Sequence, residues 1–578
     1  MRNIALLPVA CLVVSALAQD PFIGPQIRIT VDNASNSANE TTGAASANGQ
    51  EIVAGFNDYR SGGLIRTGVP VSSNGGQTWS HLIVRPPTQN QTSVEGDPMT
   101  AYDRRTNTLW IGAIAFGSNG GIFVARKNPG QNSFASSVMA RVSGGADKCW
   151  MEAGARPGLP NTTRLYITYN EGVIRSDDLG ATWSSPLSLG SGIGFLPRIG
   201  PSGELYVTYW DFGTGVMFRR SLDGGQTFSA PVRAATRLDT WGTEFNNGRV
   251  PGDYRIPPIH GMDVNPVDGS ITIVYCDTTN TIGSNRNLDL WMTRSTNQGT
   301  SWSTPTRLPF RDLAQLGDMF FPWIEYSQDG RLHLLSFNSQ YTVQNDGGSD
   351  GFLDQDYAFS DNNGATWRRF RLTPNSFNSR NDGRPSAPAF MGDYSGIAVA
   401  DKVVYPIYLS TQLGKSVGFT NIVSNTAVLP TEFSFFRGSR VSGGLESLYF
   451  RDNDLLVGQV GLVLNQQEAP VQLDVTTTGV VNTNPSQLRV TVWGRVNTSS
   501  IRQQLLMFNI NTSQYDLIDT RGASQTESLS DIVVPNPSNY ITPGSGTIRA
   551  RLAYSAIGPV TQPGWQAQFN LVNFQVVP

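Results

Sequence analysis

The stretch Ser176-Asp177-Asp178-Leu179-Gly180-Ala181-Thr182-Trp183 decides the fold, because its pattern, S-x-(D/N)-x-G-x-(T/S)-(W/F), occurs five times in a chain of 578 residues. The other copies run Ser72 to Trp79, Ser221 to Phe228, Ser295 to Trp302 and Ser360 to Trp367, and a degenerate one, Asn128 to Phe134, fills the long gap between the first two. An Asp or Asn folding its side chain onto nearby N–H groups, a Gly free to take positive φ and an aromatic ring over the turn make a β-hairpin turn. Only Asp178 and Asp223 are acidic at the key position, and the remaining copies carry Asn. An amide cannot replace a general acid, so these residues are structural.

Working outward, a second repeated element is an apolar alternating strand that often ends in Asp or Asn. It reads Ile52–Asp58, Leu109–Gly112, Leu165–Asn170, Leu205–Asp211, Ile271–Asp277, Leu332–Asn338 and Val404–Tyr408, which predicts seven units averaging about 59 residues. The strand at Gln26–Thr30 is expected to close the series by pairing into the last unit. After about residue 430 the repeats stop. Period-two strands at Gln487–Trp493, Gln504–Asn509, Thr547–Leu552 and Trp565–Val572 then predict a second all-β domain, a sandwich or jelly roll.

Composition agrees. Charged residues are 15%, and 60 Gly with 34 Pro favour short strands and turns over long helices. The net charge of -3 argues against a broadly basic nucleic-acid surface or a polybasic membrane anchor. Arg2, the apolar run Ile4–Leu17 and the small-residue pattern Ala16-Leu17-Ala18 predict a cleaved secretory signal over 1–18, and no later segment reads as a membrane span. Sequons at Asn33, Asn39, Asn90, Asn161, Asn497 and Asn511 fit a secreted glycoprotein. Once the signal is removed only Cys149 and Cys276 remain, in non-adjacent units, and they read as two buried small hydrophobes. The histidines His81, His260 and His333 are isolated and no metal-ligand spacing exists, so neither a metal nor a cofactor is expected.

The repeated eight-residue pattern is the Asp-box, and through it the sequence resembles the sialidase-like (Asp-box, or BNR-repeat) β-propellers. The resemblance implies an all-β fold, with a propeller over 19–430 followed by a β-sandwich over 431–578. Sialidases have six blades, whereas the repeat count here gives seven. It also implies a secreted, monomeric, sialidase-like glycoside hydrolase acting on extracellular glycans. A non-catalytic carbohydrate-binding or adhesion propeller stays open, because the box marks the fold and not the activity.

In such propellers the ligand meets residues just ahead of the repeated strands. Tyr254-Arg255-Ile256-Pro257 resembles the family's F/Y-R-I-P arginine motif, and Arg198 and Arg384 are candidates to join Arg255 in clamping a substrate carboxylate. In sialidases this motif precedes the first box, whereas Arg255 follows three. Tyr394 beside Asp393 is the candidate nucleophile, Asp97 or Asp147 the acid/base, and Lys148 and Trp150 further substrate contacts. The same side chains also read as turn anchors and packing aromatics.

Overall fold

The computed structural model describes residues 21–31, 38–60, 64–237, 256–257, 259–282, 285–340, 352–383, 390–401, 403–424, 427–448, 455–463, 465, 468–478, 480, 483–485, 487–558 and 564–577. Among them the regular structure is antiparallel β-sheet with short 3-10 turns, and no helix is long and apolar enough to cross a membrane. The chain divides into two compact units, one of Ile23–Ser424 and one containing Asn425–Pro578.

In the first unit the described strands form seven small antiparallel sheets. Their first strands are β1 (Ala38–Ala45), β2 (Glu95–Asp103), β3 (Trp150–Arg156), β4 (Ile193–Ile199), β5 (Gly261–Val264), β6 (Met319–Tyr326) and β7 (Gly396–Val399). Each packs against the next, and β7 packs against β1, so the seven surround one axis. The apolar strands singled out in the sequence are the second strand of every sheet, which explains their composition: they are covered on both sides and buried throughout, as Ile52–Asp58 and Leu332–Asn338 are. The last sheet takes its outer strand from the N-terminal segment, with Ile27 opposite Thr420 and Arg28 opposite Phe419.

All five copies of the eight-residue repeat follow the third strand of a sheet, and the degenerate copy lies between Gly121–Lys127 and Val138–Val142. In the copy at Ser176, the hydroxyl donates to Asp178 Oδ1 at 2.8 Å and accepts from Gly180 N at 2.9 Å. Asp178 accepts from Thr182 N at 2.8 Å, and Trp183 Nε1 donates to Gly180 O at 3.1 Å. Gly180 sits at φ 85°, where a Cβ is strained. The same bonds recur at Ser72 with Asn74, where the acceptor is an amide oxygen. That is why Asn and Asp interchange there.

The second unit holds two antiparallel sheets. One orders Ser439–Ser442, Leu456–Gln459, Gln566–Val577, Gln487–Val496 and Ser528–Val534. The other orders Glu432–Arg437, Val471–Thr477, Ile548–Ala556, Ile501–Asn509 and Gln514–Gly522. Val490 and Phe574 from the first share one buried cluster with Leu473, Leu505 and Leu552 from the second. Along Ile501–Asn509 buried and half-buried positions alternate strictly, the pattern of a strand with one face on a core.

The turn chemistry gives a stability prediction. Ser176→Ala removes the acceptor of a buried N–H, and a buried donor left unsatisfied costs about 1–3 kcal/mol. Urea denaturation followed by tryptophan fluorescence is expected to show that loss. A change within a few tenths of a kcal/mol would mean the turn does not depend on the serine.

Candidate functional site

Each of β1, β2, β4 and β6 breaks register with its neighbour near its start, between Asn39 and Thr42, Gly96 and Met99, Ile193 and Leu196, and Phe320 and Trp323. At each break one residue takes positive φ: Glu40 (58°), Asp97 (52°), Gly194 (67°) and Phe321 (51°), with Lys148 (39°) in the matching place before β3. These are β-bulges, which re-aim side chains. Three successive strands thereby bring Glu40, Asp97 and Lys148 together on the axis.

Lys148 Nζ lies 3.3 Å from Asp97 Oδ1, 3.2 Å from the centre of the Tyr394 ring and 3.8 Å from that of Trp150. The Tyr394 hydroxyl faces Glu40 Oε2 at 3.5 Å, and Asn57 Nδ2 donates to the same oxygen at 2.8 Å. Burial, with Asp97 and Asp393 adding to it, pushes the Glu40 carboxyl up to about 8. Burial and then Glu40, Asp97, Cys149 and Asp393 hold the Tyr394 phenol well above its ordinary value. A carboxyl that keeps its proton at neutral pH is equipped to donate it.

A second group of charges lies further along the same strands. Arg198 reaches Asp263 with Nε at 3.1 Å, Glu152 with Nη1 at 3.3 Å and Glu325 with Nη2 at 3.7 Å. All four line a cavity of about 260 Å3 to which each of β1–β7 contributes. Burial pushes Glu152 up to about 7 and Glu325 up to about 8, against the pull of Arg198. For Arg198, burial acts downward, but Asp263, Glu152 and Glu325 outweigh it and raise its hold on the proton.

Several sequence expectations are corrected by this geometry. Arg198 is engaged by Asp263, Glu152 and Glu325 and does not offer a free guanidinium to an anion. Tyr394 is present at the cluster with a carboxylate beside its hydroxyl, Glu40 Oε2 at 3.5 Å, and its phenol is held well above its ordinary value by burial and the surrounding negative charge. Asp147 is exposed, and its Oδ1 accepts from Lys148 N at 2.9 Å, so it shapes the turn that presents Lys148. Trp150, 3% exposed, packs against Trp323 at 4.7 Å and Tyr394 at 4.8 Å and has its ring face covered by Lys148; it is a wall of the cluster rather than an open sugar platform. Glu95, next to the cluster in sequence, is committed to Thr67 and Arg85. Asp97 and Lys148 do meet, and Asp393 lies near enough to add to the charge that raises Glu40. The sequence reading missed Glu40 and Asn57, although Glu40 precedes Ile52 by the same 12 residues that separate Asp97 from Leu109.

Arg255, Arg384, Asn33 and the segment 1–18 lie outside the described residues. Asn39 is fully buried, its amide bonded to Tyr59 and Asn57, and Asn90 is buried with Nδ2 donating to Asn119 O, so neither has room for a glycan in this fold. Asn161 and Asn511 are exposed and Asn497 is half-buried. Cys149 and Cys276 are buried free thiols.

No protein-family model matches the chain, and no curated protein matches it in sequence. Solved structures similar to it include sialidases, arabinanases and β-propeller lectins. The α-L-arabinanase of Penicillium chrysogenum is 12% identical over 70% of this chain and 99% of its own, with a TM-score of 0.37. The NanB sialidase of Streptococcus pneumoniae is 13% identical over 69% and 70%, with a TM-score of 0.36. The BP39L lectin of Burkholderia pseudomallei is 12% identical over 67% and 99%, with a TM-score of 0.40.

The raised carboxyls make stability depend on pH. A carboxyl whose folded pKa lies above its unfolded value binds more protons in the folded state over the interval between them. The stability this confers is complete below about 4.5 and is lost as pH rises to about 8. Glu152 and Glu325 act in the same direction. The thermal midpoint is therefore expected to fall from pH 5 to pH 8. Glu40→Gln is expected to flatten that slope by up to about 1.4 kcal/mol per pH unit, the value of one proton. An unchanged slope in Glu40→Gln would place Glu40 outside the titrating set.

Proposed function

We propose that this chain is a secreted glycoside hydrolase acting on extracellular glycans, built as a seven-bladed Asp-box β-propeller followed by a β-sandwich. The observation that carries the reading is the meeting of Glu40 and Asp97, at left-handed bulges of two adjacent strands, with Lys148, at positive φ just before the third. Glu40, holding its proton near neutrality, is the general acid that protonates the departing glycosidic oxygen. Asp97, paired with Lys148, is the second carboxylate, which activates water or attacks the anomeric carbon. Asn57 and Tyr394 orient the Glu40 carboxyl. The ring closure through Ile27–Arg28 and the circuit of first strands support the seven-blade count. The two sheets around one core support the sandwich. The apolar N-terminal run of the sequence supports export.

A second reading is favoured by one observation: Lys148 covers the Tyr394 and Trp150 rings. On that reading the cluster is a binding site for sugar hydroxyls without turnover.

The test is hydrolysis of 4-nitrophenyl glycosides of neutral pentoses and hexoses and of sialic acid. The hydrolase reading expects turnover of at least one probe, reduced by about 10²–10⁴ in Glu40→Gln and in Asp97→Asn. Probes that bind but are not cleaved support the second reading. Cleavage that survives both substitutions rejects this cluster as the catalytic one.

A further inference from the structure

Beside the cluster the surface changes character. Phe116 and Val94 are each 36% exposed and Leu64 is 39% exposed, while the residues next to them in the chain, Ala115 and Glu95, are 1% exposed. Single exposed apolar residues are ordinary on a protein surface, but contiguous ones mark binding surfaces. These three come from separate segments: the approach to Arg66–Ser72, the approach to β2, and the turn after Thr108–Ala115. The backbone fixes them together. Phe116 N donates to Val94 O at 3.0 Å, Ile65 pairs with Val94 in a parallel bridge, and Glu95 N donates to Ile65 O at 3.1 Å. Beneath them the Glu95 carboxylate ties Thr67 and Arg85 to the same base.

The patch runs directly into the candidate site. Gly96, which separates Glu95 from Asp97, has no side chain, and the Phe116 ring occupies the space one would fill. A Cβ there would stand 2.9 Å from Phe116 Cε2 and 3.7 Å from Asn57 Oδ1. Asn57 in turn holds Glu40 at 2.8 Å. The aromatic ring therefore packs over Gly96, the residue before Asp97, on a backbone position that also approaches Asn57, the donor to Glu40. A sugar ring has a face of C–H groups that packs on an aromatic ring while its hydroxyls point to polar partners at the edge. Here the apolar ring and the carboxyl cluster are adjoining parts of one surface, matching those two parts of a sugar.

We propose that Phe116, flanked by Val94 and Leu64, is the shelf on which a sugar ring of the ligand lies, next to the bond that faces Glu40 and Asp97. The proposal rests on the glycan reading of the cluster, but it concerns binding and does not require turnover. Phe116 is a substrate-positioning residue that acts mainly on affinity, and Gly96 is the residue that lets the ring settle there.

The experiment measures binding of the same 4-nitrophenyl glycosides by saturation-transfer NMR, with steady-state kinetics on any probe that is cleaved. In Phe116→Ala the affinity for a bound probe is expected to fall about tenfold, and kcat/KM to fall equally through KM. Phe116→Trp is expected to restore it. Gly96→Ala, which displaces the ring without removing it, is expected to weaken binding in the same direction. Phe436→Ala, at a 56% exposed aromatic of the other unit, controls for loss of an exposed ring and is expected to bind as the wild type does. Binding lost in Phe116→Ala but without turnover in the wild type upholds the shelf and rejects the hydrolase. Binding or turnover unchanged in Phe116→Ala overturns the shelf, whatever becomes of the hydrolase reading. A wild type that binds none of the probes overturns it as well.

Discussion

A series of sheets arranged about an axis is held only where its two ends meet, and here that junction is the short pairing of Ile27–Arg28 with Val417–Thr420. Around it Ile29 N donates to Gly418 O at 2.9 Å, Asn421 Nδ2 donates to Gly24 O at 2.8 Å, and Ile29 is fully buried. With the N-terminal segment fixed to the last sheet, β1 is drawn against β7. The approach is tight: a Cβ at Gly396 would stand 2.7 Å from Thr42 Cα, and one at Gly43 2.8 Å from an Ile407 side-chain carbon. Glu40 and Tyr394, 354 residues apart in the chain, meet because of this contact. The chemistry of the candidate site therefore depends on the same closure that joins the last sheet to the first.

Electrostatics on the axis follows from crowding first strands together. Residues at alternate positions of one strand share a face, and β3 with the residues before it carries Lys148, Trp150 and Glu152 in that rhythm. Two charge clusters result, with Trp150, Trp323 and Tyr394 packed between them. In the Arg198 cluster one guanidinium serves three carboxylates, and the surplus of negative charge is relieved by raising Glu152 and Glu325 toward neutrality. In the Glu40 cluster one ammonium serves Asp97, and Glu40 takes up a proton in the same way. Burial turns a surplus of carboxylates into proton donors, which is how an acid is made available at neutral pH.

The repeats made most of the fold legible. The turn pattern and the Ile52–Asp58 type of strand were legible as repeats, because they carry local signals of turn chemistry and complete burial; their places after a third strand and as the second strand of each sheet came from the structure. The candidate site was legible only in part. Asp97 and Lys148 stood out as charges ahead of repeated strands, whereas Glu40 was hidden inside the sequon Asn39-Glu40-Thr41 and its partners lie at the far end of the chain. Arg198 misled for a related reason. An arginine ahead of a repeated strand reads as an anion clamp unless the three carboxylates that face it, from β3, β5 and β6, are already placed beside it. No local pattern encodes that proximity. The same holds for Asn39, whose tripeptide permits a glycan but whose strand buries it.

Backbone strain separates chemistry from architecture at this axis. A non-glycine residue held at positive φ costs on the order of 1–3 kcal/mol and persists where its surroundings over-determine it. The fourth sheet makes its bulge with Gly194, which shows that the architecture is satisfied without a side chain at that position. In the sixth sheet Phe321 takes the strain, but its ring packs on Phe320 at 5.1 Å and on Phe337 at 5.9 Å, so apolar burial offsets the cost. Glu40, Asp97 and Lys148 lack that apolar burial; each puts a polar or charged group in the interior, held by the Lys148–Asp97 pair and by Asn57 at Glu40. Three consecutive sheets thus carry, where glycine would serve the fold, the residue types that move protons and bind polar ligands. Local rules broken together, at equivalent positions and at one place in space, point to a site whose purpose lies outside the fold itself.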